Sequence, residues 1–223
     1  MPINREAYPT KEKRIDLLRM WGLNTADSIH FARGEFAEDK AKDKTKDRAE
    51  EKARKFFEKH ECVSVRTFSD ESRKCMSPVR YEIKEFEEVN AFCMENTGKY
   101  HILINEAIAL KDALVTGKIT WEDNLSFDIE YFYGPGTPRD LENIDRALLR
   151  VAERTGKPRL SRPLSDDANT NFRLLEVVDK IQNADEFIKT YWKPIMFEFQ
   201  YYPYPVGVLG RHDVFWEWLL ASI

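Results

Sequence analysis

The chain is poor in the patterns that announce common chemistries. Its 223 residues include three cysteines, Cys62, Cys75 and Cys93. An odd number at spacings that match no zinc pattern excludes a disulfide framework or a cysteine metal site and predicts a reducing compartment. The four histidines, His30, His60, His101 and His212, are scattered. There is no GxxxxGK[ST] phosphate loop, no HExxH, no GxSxG, no paired CxxC and no KxDG lysine. The P-loop, zincin and serine-hydrolase chemistries therefore lack their usual carriers. No apolar run approaches the roughly 20 residues of a spanning helix, and residues 1–14 lack the apolar stretch of a signal peptide. A soluble cytoplasmic protein with no membrane partner is expected. Neither sign of charge dominates: 35 Lys and Arg stand against 39 Asp and Glu, for a net charge of −4. That balance gives no general electrostatic footprint for nucleic acid.

Apolar and aromatic residues are plentiful, at 42% and 13%. A chain of this length and composition buries a sizeable core as one large domain or two small ones. Its 33% of charged residues suits a heat-tolerant source. Apolar periodicity predicts helices over 11–21, 86–95, 140–153, 172–181 and 186–192, with Gly22 a C-cap for the first and Asp140 an N-cap for the third. Residues 35–60 read as a long, solvated helix with interleaved charges, such as Glu51 with Lys55, and no apolar stripe before Phe56-Phe57. Strands are predicted over 28–31, 62–68, 79–83, 100–108, 116–121 and 125–133. The order of elements predicts an α+β fold, divided into a small part over 1–100 and a larger one over 101–223.

Two late aromatic runs carry the strongest site signal: Phe197-Glu198-Phe199-Gln200 and Val214-Phe215-Trp216-Glu217-Trp218. Each sets one carboxylate among large β-formers. The linker over 201–213 holds Pro203, Pro205, Gly207 and Gly210, which predicts a hairpin. A carboxylate on an apolar strand is costly unless it is paired or bound to a cation, and two on neighbouring strands can hold a divalent ion. Simple alternation leaves a second reading, in which Glu198 and Glu217 point to water. Asp128 and Glu130 share a strand face and are either alternative ligands or the solvent side of that strand. Arg66, beside the polar loop 69–78, suits a bidentate phosphate contact or a surface ion pair. Glu106, at the end of an apolar strand, suits an adenine or ribose contact or faces water. Arg139 follows Gly134-Pro135-Gly136 at a helix start, where backbone N–H groups attract anions; a plain turn and cap explains it equally. Tyr201, Tyr202 and Tyr204 form either an exposed patch for a protein partner or a stacking platform for single-stranded nucleic acid. No residue is nominated as a nucleophile, so positioning and charge stabilisation are the expected chemistry, as in phosphoryl transfer.

Several of these segments together resemble the ATP-grasp superfamily. Residues 11–31, with Trp21-Gly22-Leu23-Asn24-Thr25-Ala26 between a helix and a strand, resemble the opening of those proteins. Ser64-Val65-Arg66-Thr67 with its polar loop is similar to the nucleotide-binding part of phosphoenolpyruvate synthases. Residues 104–108 resemble the hinge strand that contacts adenine, and Glu198 and Glu217 resemble the late acidic pair that holds magnesium. The resemblance implies an ATP-grasp-like α+β fold of mixed or antiparallel sheets flanked by helices. It implies ATP and Mg2+ as cofactors and a ligase or phosphotransferase that acts on a small-molecule acceptor. Arg66 and Arg139 would hold phosphates in catalysis, Glu106 would orient the adenosine, and Glu198 with Glu217 would hold the metal. Residues 69–78 contain no glycine, and Trp218-Leu219 follows Glu217 where the family often has Asn. A relative that has lost catalysis and serves as a binding module is the alternative expectation.

Overall fold

The computed structural model describes residues 11–36, 43–69, 77–121, 126–134, 145–151, 158–160 and 195–220. They form an α+β fold in two compact units. One unit is built on Ala26–Ala109; the other joins Lys13–Thr25 to the described residues from Leu110 onward. Helix α1 (Lys11–Met20) opens the described chain.

The first unit contains β1 (Ser28–Phe31), α2 (Asp43–His60), β2 (Val63–Phe68), β3 (Val79–Ile83), α3 (Phe86–Asn96) and β4 (His101–Glu106). Its antiparallel sheet has the order β1-β4-β2-β3. Alternation sends Phe31, Val63, Val65, Ile102 and Ile104 to one face, where they form a core with Val89, Phe92 and Cys93 of α3. The opposite face carries Ser64, Arg66, Leu103 and Asn105. Helix α2 keeps Glu51 and Lys55 in water, 2.6 Å apart, but it does possess a buried stripe. Ala49, Ala53 and Phe56 recur at helical spacing and enter the core. Two alanines are too small to register in an apolar count, yet they let the helix approach the sheet closely.

The described residues of the second unit contain a 3-10 turn (Leu110–Asp112) followed by β5 (Val115–Trp121), β6 (Ser126–Tyr133), β7 (Asp145–Val151), β8 (Pro158–Leu160), β9 (Ile195–Val206) and β10 (Arg211–Leu220). All neighbours in the order β10-β9-β5-β6-β7-β8 are antiparallel. Val115, Ile119, Ile129, Tyr131, Phe197, Phe199 and Phe215 are buried. Gly117, opposite Phe199, is required: a Cβ there would lie 2.9 Å from the Phe199 ring and 2.7 Å from the Glu130 carbonyl oxygen.

Two expectations are corrected here. The helix predicted over 140–153 is strand β7 where it is described. Ala147, Leu148 and Leu149 favour a helix locally, but pairing with both β6 and β8 overrides that weak propensity. Strand β8 carries no sequence signal. The loop expected over 201–213 shrinks to 207–210, because β9 runs on through Pro203 and Pro205. The register shifts between Arg211 and Asp213, so both prolines fall in an irregular stretch where their missing N–H groups break no regular ladder. The helices predicted over 172–181 and 186–192 lie outside the described residues. No helix among the described residues is long and apolar enough to cross a membrane.

Candidate functional site

Strands β9 and β10 bring Glu198 and Glu217 into direct register. A β-bulge makes this possible. Phe215 pairs with Phe199, yet Glu217 pairs with Glu198, so Trp216 is one extra residue in β10. Without it, Glu217 would share the face of Phe215, the apolar one. With it, Glu217 joins the face that carries Glu198. Like charges directly opposite each other on neighbouring strands are destabilising.

The same face continues across the sheet as a row of charges. Lys118 stands opposite Glu198, Glu130 opposite Lys118, and Arg146 opposite Glu130. The lysine nearest the glutamate pair is therefore flanked by two glutamates. Asp128 sits one row further along, opposite Thr120.

Next to the pair lies a buried polar cluster. Gln200 is on the face of Glu198, and its Oε1 accepts from Tyr202 OH at 2.8 Å and from Trp216 Nε1 at 2.6 Å. Its Nε2 donates to Thr116 Oγ1 at 3.2 Å, and that hydroxyl donates to the Gly134 carbonyl at 3.1 Å. Both amide ends of Gln200 are thus engaged, which fixes β5, β9 and the bulge of β10 together. Burial pushes the Tyr202 hydroxyl pKa well up, helped by Tyr204 and Asp112, so Tyr202 stays a donor to Gln200. The tyrosine patch expected at 201–204 is not formed. Tyr201 and Tyr202 are buried, and only Tyr204 is exposed. Its hydroxyl donates to Asp112 Oδ2 at 2.7 Å, and that bond lifts its pKa to about 12. Strand β9, not an open loop, carries this stretch. The stacking platform for nucleic acid goes with it.

The other predicted residues belong elsewhere. Arg66 and Glu106 are on the Ala26–Ala109 unit, on opposite faces of its sheet. Arg66 pairs with Leu103 on the face away from the helices. Its guanidinium lies over the half-exposed Tyr81 ring at 5.5 Å, brought there by a bulge in β3 at which Glu82 takes a φ of +53°. Glu106 lies on the helix-covered face. Its Oε1 accepts from the Asp27 N–H at 2.9 Å, and its Oε2 is 3.5 Å from His60 Nδ1. Asp27 Oδ2 accepts from Lys59 Nζ at 2.7 Å and meets His60 Nε2 at 2.9 Å. Burial raises the Asp27 pKa, but the bonds from Lys59 and His60 outweigh it and the net shift is downward. The Glu106 carboxylate is thus held within a clasp; its backbone remains at the strand end. Arg139 lies outside the described residues.

Burial pushes the Cys93 thiol up to about 12 and also raises Cys62. Neither is a poised thiolate. Among the described residues no three His, Cys, Asp or Glu form a metal-holding group. A cation on β9 and β10 would take two protein carboxylates, with water and phosphate oxygens completing the shell, the manner in which Mg2+ is commonly held. The all-oxygen donor set fits that ion. Sequence reasoning missed Gln200, Lys118 and the clasp of Asp27, Lys59 and His60. A Gln between two aromatic residues on a strand was a usable signal; the clasp, which spans residues far apart in sequence, left none.

No family model and no curated protein matches this chain. Solved structures do. D-cycloserine synthetase DcsG matches with a TM-score of 0.52 and 11% identity, over 96% of this chain and 62% of that one. VanG D-Ala:D-Ser ligase from Enterococcus faecalis matches with a TM-score of 0.49 and 15% identity, over 94% of this chain and 51% of that one. The D-alanine–D-alanine ligase from Helicobacter pylori has a TM-score of 0.49 and 10% identity, over 95% and 54%. This chain therefore spans between half and two thirds of the length of these proteins. The fold is α+β, as the sequence implied, and its likeness to D-cycloserine synthetase DcsG is one of fold.

Proposed function

We propose that the protein is an ATP-grasp-type enzyme that binds Mg–ATP and transfers a phosphoryl or nucleotide-activated group to a small acceptor, as a ligase or phosphotransferase. The register of Glu198 with Glu217 carries this reading. The pair sits on a rigid sheet beside a fully engaged polar cluster, and its repulsion is relieved by a divalent cation. Magnesium held by Glu198 and Glu217 would supply charge neutralisation to phosphate oxygens. Arg66, with its planar fork, and Arg139 hold phosphates, and the backbone at Glu106 orients the adenosine. The narrower likeness to phosphoenolpyruvate synthases rests on residues 64–67.

The test is a thermal shift. A ligand that binds only the native state raises the apparent melting temperature. Mg–ATP is expected to raise it and ATP with a chelator to raise it less. Arg66→Ala is expected to keep the fold and to lose roughly 1.5–3 kcal/mol of nucleotide binding. No shift with Mg–ATP at any concentration would instead favour a relative that has lost catalysis.

A further inference from the structure

The segment after α1 is fastened to the strands that carry the glutamate pair. Asn24 is completely buried, and both ends of its side-chain amide are used. Its Nδ2 donates to the Asp213 carbonyl at 2.5 Å and to the Val206 carbonyl at 2.8 Å. Its Oδ1 accepts from the Leu209 N–H at 2.9 Å. Its own carbonyl accepts from the Phe215 N–H at 2.7 Å, and the Thr25 carbonyl accepts from the Val208 N–H at 2.9 Å. Arg211 Nη1 adds a bond to the Gly22 carbonyl at 3.0 Å. One asparagine thus ties the end of β9, the turn at 207–210 and the start of β10 together.

The position of the bond from the Phe215 N–H to the Asn24 carbonyl matters. β10 is the outer strand of its sheet, and Phe215 is the residue before the bulge at Trp216. The bulge alone decides which face Glu217 takes. Asn24 closes the outer edge of β10 at the residue where that decision is made. Gly207 confirms how closely the two segments fit. Its φ is +73°, and a Cβ there would lie 2.6 Å from the Thr25 carbonyl oxygen and 2.8 Å from Asn24 Oδ1.

We infer that Asn24 is a positioning residue for the Glu198–Glu217 pair, acting through the register of β10. The inference rests on the metal reading given above. Groups that orient metal ligands from outside the coordination shell commonly change affinity by about 10–100-fold when altered. Two variants break the clasp differently. Asn24→Asp keeps the shape but turns an acceptor toward two carbonyl oxygens. Gly207→Ala leaves every Asn24 group in place and pushes the segment away, so it serves where Asn24→Asp does not fold. Tyr204→Phe, which removes a surface bond of the same hairpin, is the control. Mn2+ affinity is read by electron paramagnetic resonance of the free ion, and circular dichroism confirms folding. A folded Asn24→Asp or Gly207→Ala protein is expected to lose about tenfold or more in affinity, and Tyr204→Phe to match the parent. Parent-like Mn2+ affinity in either folded variant, or an equal loss in Tyr204→Phe, overturns the inference while the metal reading stands. A parent that binds Mn2+ no better than Glu217→Gln overturns the metal reading and this inference with it.

Discussion

Each unit brings two acidic residues together, in different surroundings. In the Ala26–Ala109 unit, Asp27 and Glu106 come with their own partners: Lys59 and His60 meet Asp27, and His60 also meets Glu106. In the six-stranded unit, Glu198 and Glu217 stand opposite each other, and the next residue in the row, Lys118, stands opposite Glu198 on one side and Glu130 on the other. The first arrangement is complete in itself and stabilises a junction between α2, β1 and β4. The second sets two acidic residues opposite each other on neighbouring strands, the register on which the proposed cation site rests. A carboxylate pair is read by its neighbours, not by its count of acids.

The comparison breaks most severely where the glutamate strand loses its backing. Phe199→Ala removes the ring packed on Gly117 and against Phe215, and should cost about 3–5 kcal/mol of unfolding free energy, measured by urea denaturation. A loss under about 1 kcal/mol would mean that β9 is not held from its apolar side.

Next in size is the self-contained pair. Asp27→Ala strands Lys59 and His60 and should cost roughly 1–3 kcal/mol. The depressed Asp27 pKa gives this pair a pH signature. Its stabilisation is present above the ordinary carboxylate value of 3.8 and is lost as the pH falls below it through the lower folded value. The parent should therefore lose more stability than Asp27→Ala between pH 4 and the acid limit, and parallel acid-denaturation curves would contradict the clasp.

The smallest effect has the opposite sign. Without a divalent ion, Glu217→Gln removes a cross-strand repulsion and should leave stability unchanged or raise it by about 0.2–1 kcal/mol. A loss above 1 kcal/mol would show that Glu217 is a structural partner like Asp27.

Much of this was legible in the sequence. The aromatic runs around Glu198 and Glu217, and the turn residues between them, announced a hairpin with two acids. Alternation alone could not place the acids on one face, because the bulge at Trp216 depends on pairing with β9 and on Gln200 accepting the indole N–H. The return of Lys13–Thr25 to the later unit was equally hidden: Asn24 reads as a turn residue until its partners at Val206, Leu209 and Asp213 are seen. β7 reads as a helix because its residues favour one locally, and only its two neighbours make it a strand. Glu106 was legible as a strand-end acid, but the His60 and Asp27 that occupy it come from elsewhere in the chain.

The central claim is that Glu198 and Glu217 form a divalent-cation site that serves a nucleotide. Calorimetric titration of ATP into the parent and into Glu217→Gln, each with and without Mg2+, tests it most directly. The account predicts that Mg2+ strengthens ATP binding to the parent and that this gain disappears in a folded Glu217→Gln protein. The same gain in both proteins would contradict it.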